Sequence, residues 1–226
     1  MSVYIISDLH LCFNDPEKDM SVFGGWENYT DRLTAHWRRI VGPDDTVVLG
    51  GDTSWALKLE GAAADFRYID NLPGRKILIK GNHDLWWSTS SKLKAFFERE
   101  KFLNIDFVYN NCKQAEGFSV CGTRGWFYDD GDEKILQREA GRLERSLSDA
   151  LATGLEPLVV LHYPPVYGSF VCEPIFGILK KYNIKKVYHG HIHGAGRHNA
   201  VKSYDGVEFK LISADCIDFT PYAVVS

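Results

Sequence analysis

Apolar, β-branched runs recur along this chain at spacings that leave room for a helix between them. They are VYIIS (3–7), TVVLGG (46–51), KILIKG (76–81), FSVCG (118–122), LVVLH (158–162), KVYHG (186–190) and FKLIS (209–213). Several are continuously apolar, the pattern of strands buried on both faces beneath covering helices. Between them lie stretches of helical period. In TDRLTAHWRRIVGP, Leu33, Trp37, Ile40 and Val41 form one stripe, Thr30 is placed to cap the start, and Gly42-Pro43 ends it. Residues 133–153 repeat apolar positions at Leu136, Ala140, Leu143, Leu147 and Leu151, and 91–100 form a shorter amphipathic segment. The alternation predicts an α/β fold. The late strands, with AVVS at 223–226, are expected to close a second, partly antiparallel sheet.

The chain has 226 residues, a length that suits one domain spanning 1–226. No linker, repeat or low-complexity tract divides it. A formal net charge of −4 argues against a protein built to grip nucleic-acid phosphates. The five cysteines, Cys12, Cys112, Cys121, Cys172 and Cys216, include no C-x-x-C pair and read as reduced apolar fillers. No run approaches the ~20 apolar residues that span a bilayer. The opening MSVYIISD is already a strand, not a signal peptide, so a cytoplasmic protein with no membrane partner is expected.

The polar residues that follow these runs carry the chemistry. Five strands end in Asp8-Leu9-His10, Asp52, Asn82-His83-Asp84, His162 and His191-Ile192-His193. In open α/β sheets, ligands bind outside the carboxyl ends of strands, so these groups can meet in space. In Asp8-x-His10 and His191-x-His193, alternate side chains of an extended chain would share one face. Glycines at 50, 51, 81 and 190 suit turns where backbone nears a ligand. Asp8, His10, Asp52, Asn82, His162, His191 and His193 exceed what one ion needs. They suit two ions sharing a carboxylate, a common clamp for phosphoryl hydrolysis. Mixed imidazole and carboxylate donors favour Mn²⁺, Fe²⁺/Fe³⁺ or Zn²⁺ over Mg²⁺ or Ca²⁺.

The blocks D-x-H, G-D, G-N-H-D, a lone H after an apolar strand, and G-H-x-H, in this order from residue 8 to residue 193, resemble the calcineurin-like metallophosphoesterase superfamily. The resemblance implies a four-layer α/β/β/α sandwich with two mixed β-sheets. It implies that Asp8, His10 and His193 hold one metal, Asn82, His162 and His191 a second, and that Asp52 bridges them. His83 would touch the phosphate and protonate the leaving oxygen, with Asp84 orienting its ring. The activity implied is hydrolysis of a phosphomonoester or phosphodiester by a metal-bound hydroxide. The substrate would be a small-molecule phosphoester, with nucleotides among the candidates. A non-catalytic metal-bound scaffold and a nuclease are the rival readings. The full ligand set with His83 counts against the first, and the acidic composition counts against the second.

The sequence also departs from the pattern. Many members carry a second acidic residue three after the G-D aspartate, where this chain has Trp55. Trp55, Trp86, Trp87 and Trp126 follow predicted strands closely, as do Tyr163 and Tyr167. An aromatic mouth over the metals, able to stack a base or other flat group, is the expectation. Arg124 is a candidate phosphate ligand, with a structural salt bridge as the alternative. His189, inside a strand, reads as structural. His36 and His198 carry no motif, and Asp215 and Asp218 read as turn residues.

Overall fold

The structure, a computed structural model, describes residues 1–126 and 133–224. In chain order the elements are β1 (Val3–Ile6), α1 (Tyr29–Ile40), β2 (Thr46–Leu49), α2 (Ala63–Asp70), β3 (Arg75–Leu78), α3 (Ser90–Glu100) and β4 (Ile105–Phe107). These are followed by β5 (Lys113–Ala115), β6 (Phe118–Thr123), α4 (Glu133–Ala152), β7 (Glu156–Leu161), β8 (Val166–Tyr167), β9 (Phe170–Val171) and α5 (Glu173–Lys181). The chain then forms β10 (Lys186–His189), β11 (Ser203–Tyr204), β12 (Val207–Leu211) and β13 (Tyr222–Val224).

Two large mixed sheets carry the fold. The first has the order β13-β1-β2-β3-β4, and the second β11-β12-β10-β7-β6-β5. The central strands β1, β2, β7 and β10 are largely apolar because both of their faces are covered. Val3, Ile5, Val48, Ile77, Leu158 and Val160 belong to a core between the sheets. Ile6, Val47, Leu49 and Leu78 face the other way, into a core with Leu33 and Trp37 of α1, Phe66 of α2 and Phe96 of α3. On the second sheet, Val159 and Leu161 pack with Ala140, Leu143 and Leu147 of α4 and Ile175 and Leu179 of α5. This is the α/β/β/α arrangement that the resemblance implied.

Two local expectations are corrected. Helix α1 begins two residues earlier than a cap at Thr30 implies, at Tyr29, behind a left-handed Asn28 with φ 51°, and no side chain caps it. Thr30 therefore lies inside the first turn, where its carbonyl accepts from Thr34 Oγ1 (2.8 Å) and Tyr68 Oη (2.9 Å). The terminal strand does not extend the second sheet. β13 pairs antiparallel with β1, with Tyr222 opposite Ile5 and Val224 opposite Val3. It thereby covers an edge of the parallel sheet that would otherwise present unpaired backbone groups. The two sheets touch where Ser7 bridges Ser213, with Ser7 N donating to Ile212 O at 2.9 Å. That junction lies at the carboxyl end of β1, directly before Asp8.

Candidate metal centre

β1, β2, β3, β7 and β10 each end in a loop that carries a donor, and the loops converge. Asp8, His10 and His193 bring their ligand atoms within 4.8 Å of one another, and so do Asp52, His162 and His191. Asn82 joins the second group, with Oδ1 2.7 Å from His162 Nε2 and 3.0 Å from His191 Nδ1. Asp52 lies between the groups, its Oδ2 4.0 Å from His10 Nε2 and 3.3 Å from His162 Nε2. His193 Nε2 is 3.5 Å from Asp8 Oδ1 and 3.4 Å from His10 Nε2.

Extended geometry does not bring these pairs together. Asp8, His10, Asp52 and His191 all have positive φ, at 61°, 46°, 51° and 69°. Non-glycine residues rarely adopt this region, and such strain concentrates at functional sites. The left-handed bends let Asp8 and His10 share one donor group while His191 and His193 divide between the two. Glycine permits the close approach. A Cβ on Gly81 would collide with the Asp52 carboxylate, and one on Gly190 with Ser7 and Asp8.

The electrostatics fit divalent cations. Asp8 and Asp52 are buried, and among the described residues only histidines lie within ion-pair distance of them. Burial opposes charge on His162, yet Asp52 and Asp8 outweigh it and lift the imidazole to about 9. Burial opposes His193 too, and its hydrogen bonds to Asp215 and Asp8 raise it to about 10. Burial lowers His10 to about 4, more than Asp52 and Asp8 can offset. Burial together with the charge on His162 lowers His191 to about 4. Buried carboxylates thus draw positive charge onto two imidazoles, the place that a metal's charge would take. The tautomers also agree. Gly50 O accepts a hydrogen bond from His162 Nδ1 at 3.1 Å, so a neutral His162, its Nε2 proton displaced by a cation, would present the Nε2 lone pair to the donor group.

Asp215 supports the same arrangement from outside. Its Oδ1 is 2.8 Å from His193 Nδ1, and its Oδ2 accepts from Gly194 N at 2.8 Å. It had read as a turn residue, although it follows FKLIS as the other donors follow their strands. Asp218, by contrast, pairs with Arg32 and offers its carbonyl to His36 Nδ1 at 2.9 Å. His189 is buried in β10, with Nδ1 3.2 Å from Gly190 O.

Asp84 departs from its expected role. Its carboxylate accepts from Gly81 N (2.7 Å), Asp52 N (3.0 Å), Thr53 N (2.9 Å) and Trp86 Nε1 (3.0 Å). A longer contact reaches Ser54 N at 3.4 Å. All its partners are backbone amides and an indole, and the His83 ring is not among them. Burial and the adjacent Asp52 charge push its carboxyl up to about 7. Asp84 therefore ties the Asp52 loop to the Asn82 loop. His83 is held through its backbone, whose N–H donates to Asp52 Oδ1 at 2.7 Å. Its ring packs against Trp55 at 4.4 Å and His10 at 5.8 Å between centroids.

A cavity of about 500 Å³ opens over the donors, lined by His10, Asp52, His83, His191, His193 and an apolar wall of Met20, Phe23, Trp26 and Trp55. Trp55 stacks on His10, 4.7 Å between centroids and 24° between planes. Trp26 and Phe23 were not anticipated, because loop residues 12–28 carry no periodic signal. Trp86 does not belong to the mouth. It is 2% exposed and packs edge-on against Phe66. Its indole N–H serves Asp84, and a buried indole requires such a partner. Tyr163 lies on the opposite side, 4.3 Å from the His191 ring, with Trp126 6.2 Å beyond it. Arg124 faces away from the donors, 3.6 Å from Glu139 and over Trp126 at 4.8 Å. Trp87 stacks with Tyr109. Part of the 123–132 loop lies outside the described residues. Among them, the five cysteines are free, and no helix is long and apolar enough to cross a membrane.

Comparisons with known proteins agree with this geometry. The family model for calcineurin-like phosphoesterases matches residues 1–195. Gene 66 protein of Mycobacterium phage L5 is 34% identical over 83 residues, 37% of this chain and 40% of that protein. The chain thus aligns with about two fifths of that relative's length. A protein of unknown function from Aquifex aeolicus superposes with TM-score 0.52 at 19% identity, covering 98% of this chain and 95% of the other. Phosphopantetheinyl hydrolase from Mycobacterium tuberculosis gives TM-score 0.53 at 14% identity, with 99% and 95% coverage. At such identities the two structures attest the fold alone.

Proposed function

Because this chain belongs to the calcineurin-like phosphoesterase family, whose members are metal-dependent, we propose that it is a dinuclear phosphoester hydrolase with His83 as general acid. The observation that carries the reading is the pair of donor groups joined at Asp52 beneath an open cavity. Asp8, His10 and His193 would hold one cation, and Asn82, His162 and His191 the other, with Asp52 shared. The mixed N/O donor set suits Mn²⁺, Fe or Zn²⁺. When bound, such ions lower the pKa of water and neutralise charge on a phosphoryl group.

The residues divide the remaining work. The His83 ring lines the cavity outside both donor groups, so it is free to donate a proton to the departing oxygen. Trp55, packed against His83 and His10, fixes both rings. Asp215 holds His193 in one orientation through Nδ1. Met20, Phe23 and Trp26 form an apolar wall that excludes water beside the ester and receives its organic group. Both sheets supply donors, so residues 1–226 act as one catalytic domain.

The test is hydrolysis of bis-p-nitrophenyl phosphate and p-nitrophenyl phosphate by Mn²⁺-loaded protein, with bound metal measured in parallel. Two metals per chain and turnover lost in His83→Ala are expected. Two metals bound with no turnover of either ester, or undiminished turnover in His83→Ala, would refute the reading.

A further inference from the structure

A second cavity, of about 340 Å³, lies at the same edge of the two sheets, and its lining shares no residue with the cavity over the donors. Lys80, Arg124, Arg142 and Glu139 supply its charged groups, and Ser88, Thr89 and Asn110 its neutral polar ones. Glu139 is 0% exposed. It accepts from Thr123 Oγ1 at 2.7 Å and pairs with both Arg124 and Arg142. Among the described residues, one carboxylate therefore faces three cations. Lys80 has no hydrogen bond or ion pair among the described residues, and Arg124 Nε is buried without an acceptor. Lys80, Arg124 and Arg142 are half-buried, so this surplus of positive charge is only partly screened by water and attracts an anion to the space between them. The surplus is local, because the chain as a whole carries a net charge of −4.

The rest of the cavity suits an oxyanion. Thr89 caps α3, so the amino end of an 11-residue helix borders the space, and helix amino ends favour negative charge. Two guanidinium groups offer forked donors, the geometry that matches phosphoryl oxygens. The cavity is also tied to the donor loops. Lys80 precedes Asn82 by two residues, a reach of at most ~7 Å along an extended chain. Thr123 O accepts from His162 N at 3.3 Å, and Arg124 O from Tyr163 N at 2.9 Å. The two cavities are therefore built on loops that are bonded to one another.

We propose that the Lys80, Arg124 and Arg142 cavity is a second oxyanion site that receives a phosphoryl group of the substrate other than the one hydrolysed. The substrate class is then a compound with two phosphoryl groups. This assignment rests on the hydrolase reading for its link to a substrate, whereas the oxyanion site itself does not.

The probe is tungstate, a tetrahedral oxyanion, in equilibrium dialysis with Mn²⁺-loaded protein. Two tungstates per chain are expected for the wild type. One is expected for Lys80→Met, with manganese content and thermal unfolding unchanged, and Lys80→Arg should restore the second. One tungstate in the wild type, or two in Lys80→Met, would overturn the site. A series of alkane-1,n-diyl bisphosphates then tests the link to substrate. One molecule of a suitable length should displace both tungstates from the wild type, at least tenfold more tightly than the matching monophosphate. In Lys80→Met that advantage should vanish. Two tungstates that no bisphosphate displaces jointly would overturn the substrate class, leaving a site for a free anion. Failure of the hydrolase reading shows separately, as absent p-nitrophenyl ester turnover.

Discussion

Replacing Asp84 with asparagine separates two roles for one carboxylate. If Asp84 orients the His83 ring, Asp84→Asn should leave fold and metals intact and slow turnover alone. The structure predicts otherwise. Oδ1 accepts from Thr53 N and Trp86 Nε1, and Oδ2 accepts from Asp52 N and Gly81 N. An asparagine keeps one acceptor oxygen and sets an NH₂ group against two donors, whichever way it is flipped. A buried donor left without an acceptor costs about 1–3 kcal/mol, so two cost about 2–6 kcal/mol. That is a large share of the ~5–15 kcal/mol that holds a domain together. Two of the four donors belong to Asp52 and Gly81, so the Asp52 carboxylate and the neighbouring Asn82 should shift as well. Urea unfolding and metal analysis at pH 8 provide the assay. The expected result is a fall of at least 2 kcal/mol in unfolding free energy, with less than two metals retained per chain. Unfolding within 1 kcal/mol of wild type, with full metal content and slowed turnover, would refute the argument and restore Asp84 as an orienter of His83.

Other substitutions probe separate links. Asp215→Ala removes the partner of His193 Nδ1, and metal affinity should fall ~10–100-fold in a chelator competition. His83→Ala should retain both metals while kcat drops by ~10²–10⁴, read from steady-state kinetics beside metal analysis. Lys76 gives a pH-dependent test remote from the site. Its ammonium is buried, donating to Asp70 O (3.4 Å) and Leu72 O behind α2, and burial, opposed by Asp70, lowers it from 10.5 to about 8. Between those values the unfolded chain holds a proton that the folded chain has released. Stability should therefore increase as pH rises from about 8 toward 10.5, by up to ~3 kcal/mol. Lys76→Met should lack this increase in urea unfolding at pH 7.5 and 9.5, and equal pH slopes in the two proteins would refute the assignment.

The strands and the donors they deliver were legible for one physical reason. Parallel strands buried on both faces show as unbroken apolar runs, and the polar residue that ends each run lies at the ligand-binding edge. Asp8, Asp52, Asn82, His162 and His191 all follow from that rule. So does Asp215 after β12, although the two aspartates of SADCIDF, Asp215 and Asp218, share the composition of a turn. The tryptophans show the limit of the reasoning. Trp86 and Trp87 are adjacent in sequence, yet Trp86 points into the core beside Phe66 while Trp87 lines the second cavity. Proximity to a strand end does not fix the direction of a side chain in a loop. The partner of β13 was equally illegible, because three residues suit either sheet and only the free edge of β1 selects between them.

The same carboxylates that can hold cations also hold one another's loops. Asp8 accepts from His191 N at 3.0 and 3.2 Å, Asp52 from His83 N at 2.7 Å, and Asp84 from Asp52 N at 3.0 Å. These contacts tie the end of β1 to that of β10 between the sheets, and the end of β2 to that of β3 within the first sheet. They act on backbone that is strained, since Asp8, Asp52 and His191 all have positive φ. Each such residue costs ~1–3 kcal/mol, and a charge-assisted hydrogen bond returns ~1.5–3 kcal/mol. Strain and hydrogen bonds are therefore comparable in size, so the contacts made by these carboxylates offset the strain of the loops that carry them. A substitution at Asp8 or Asp52 should therefore disturb these loops as well as any cation that the carboxylate would hold. Asp52→Asn keeps an oxygen for the His83 amide but removes the charge shared between the two donor groups, so it should weaken both metals together, not one.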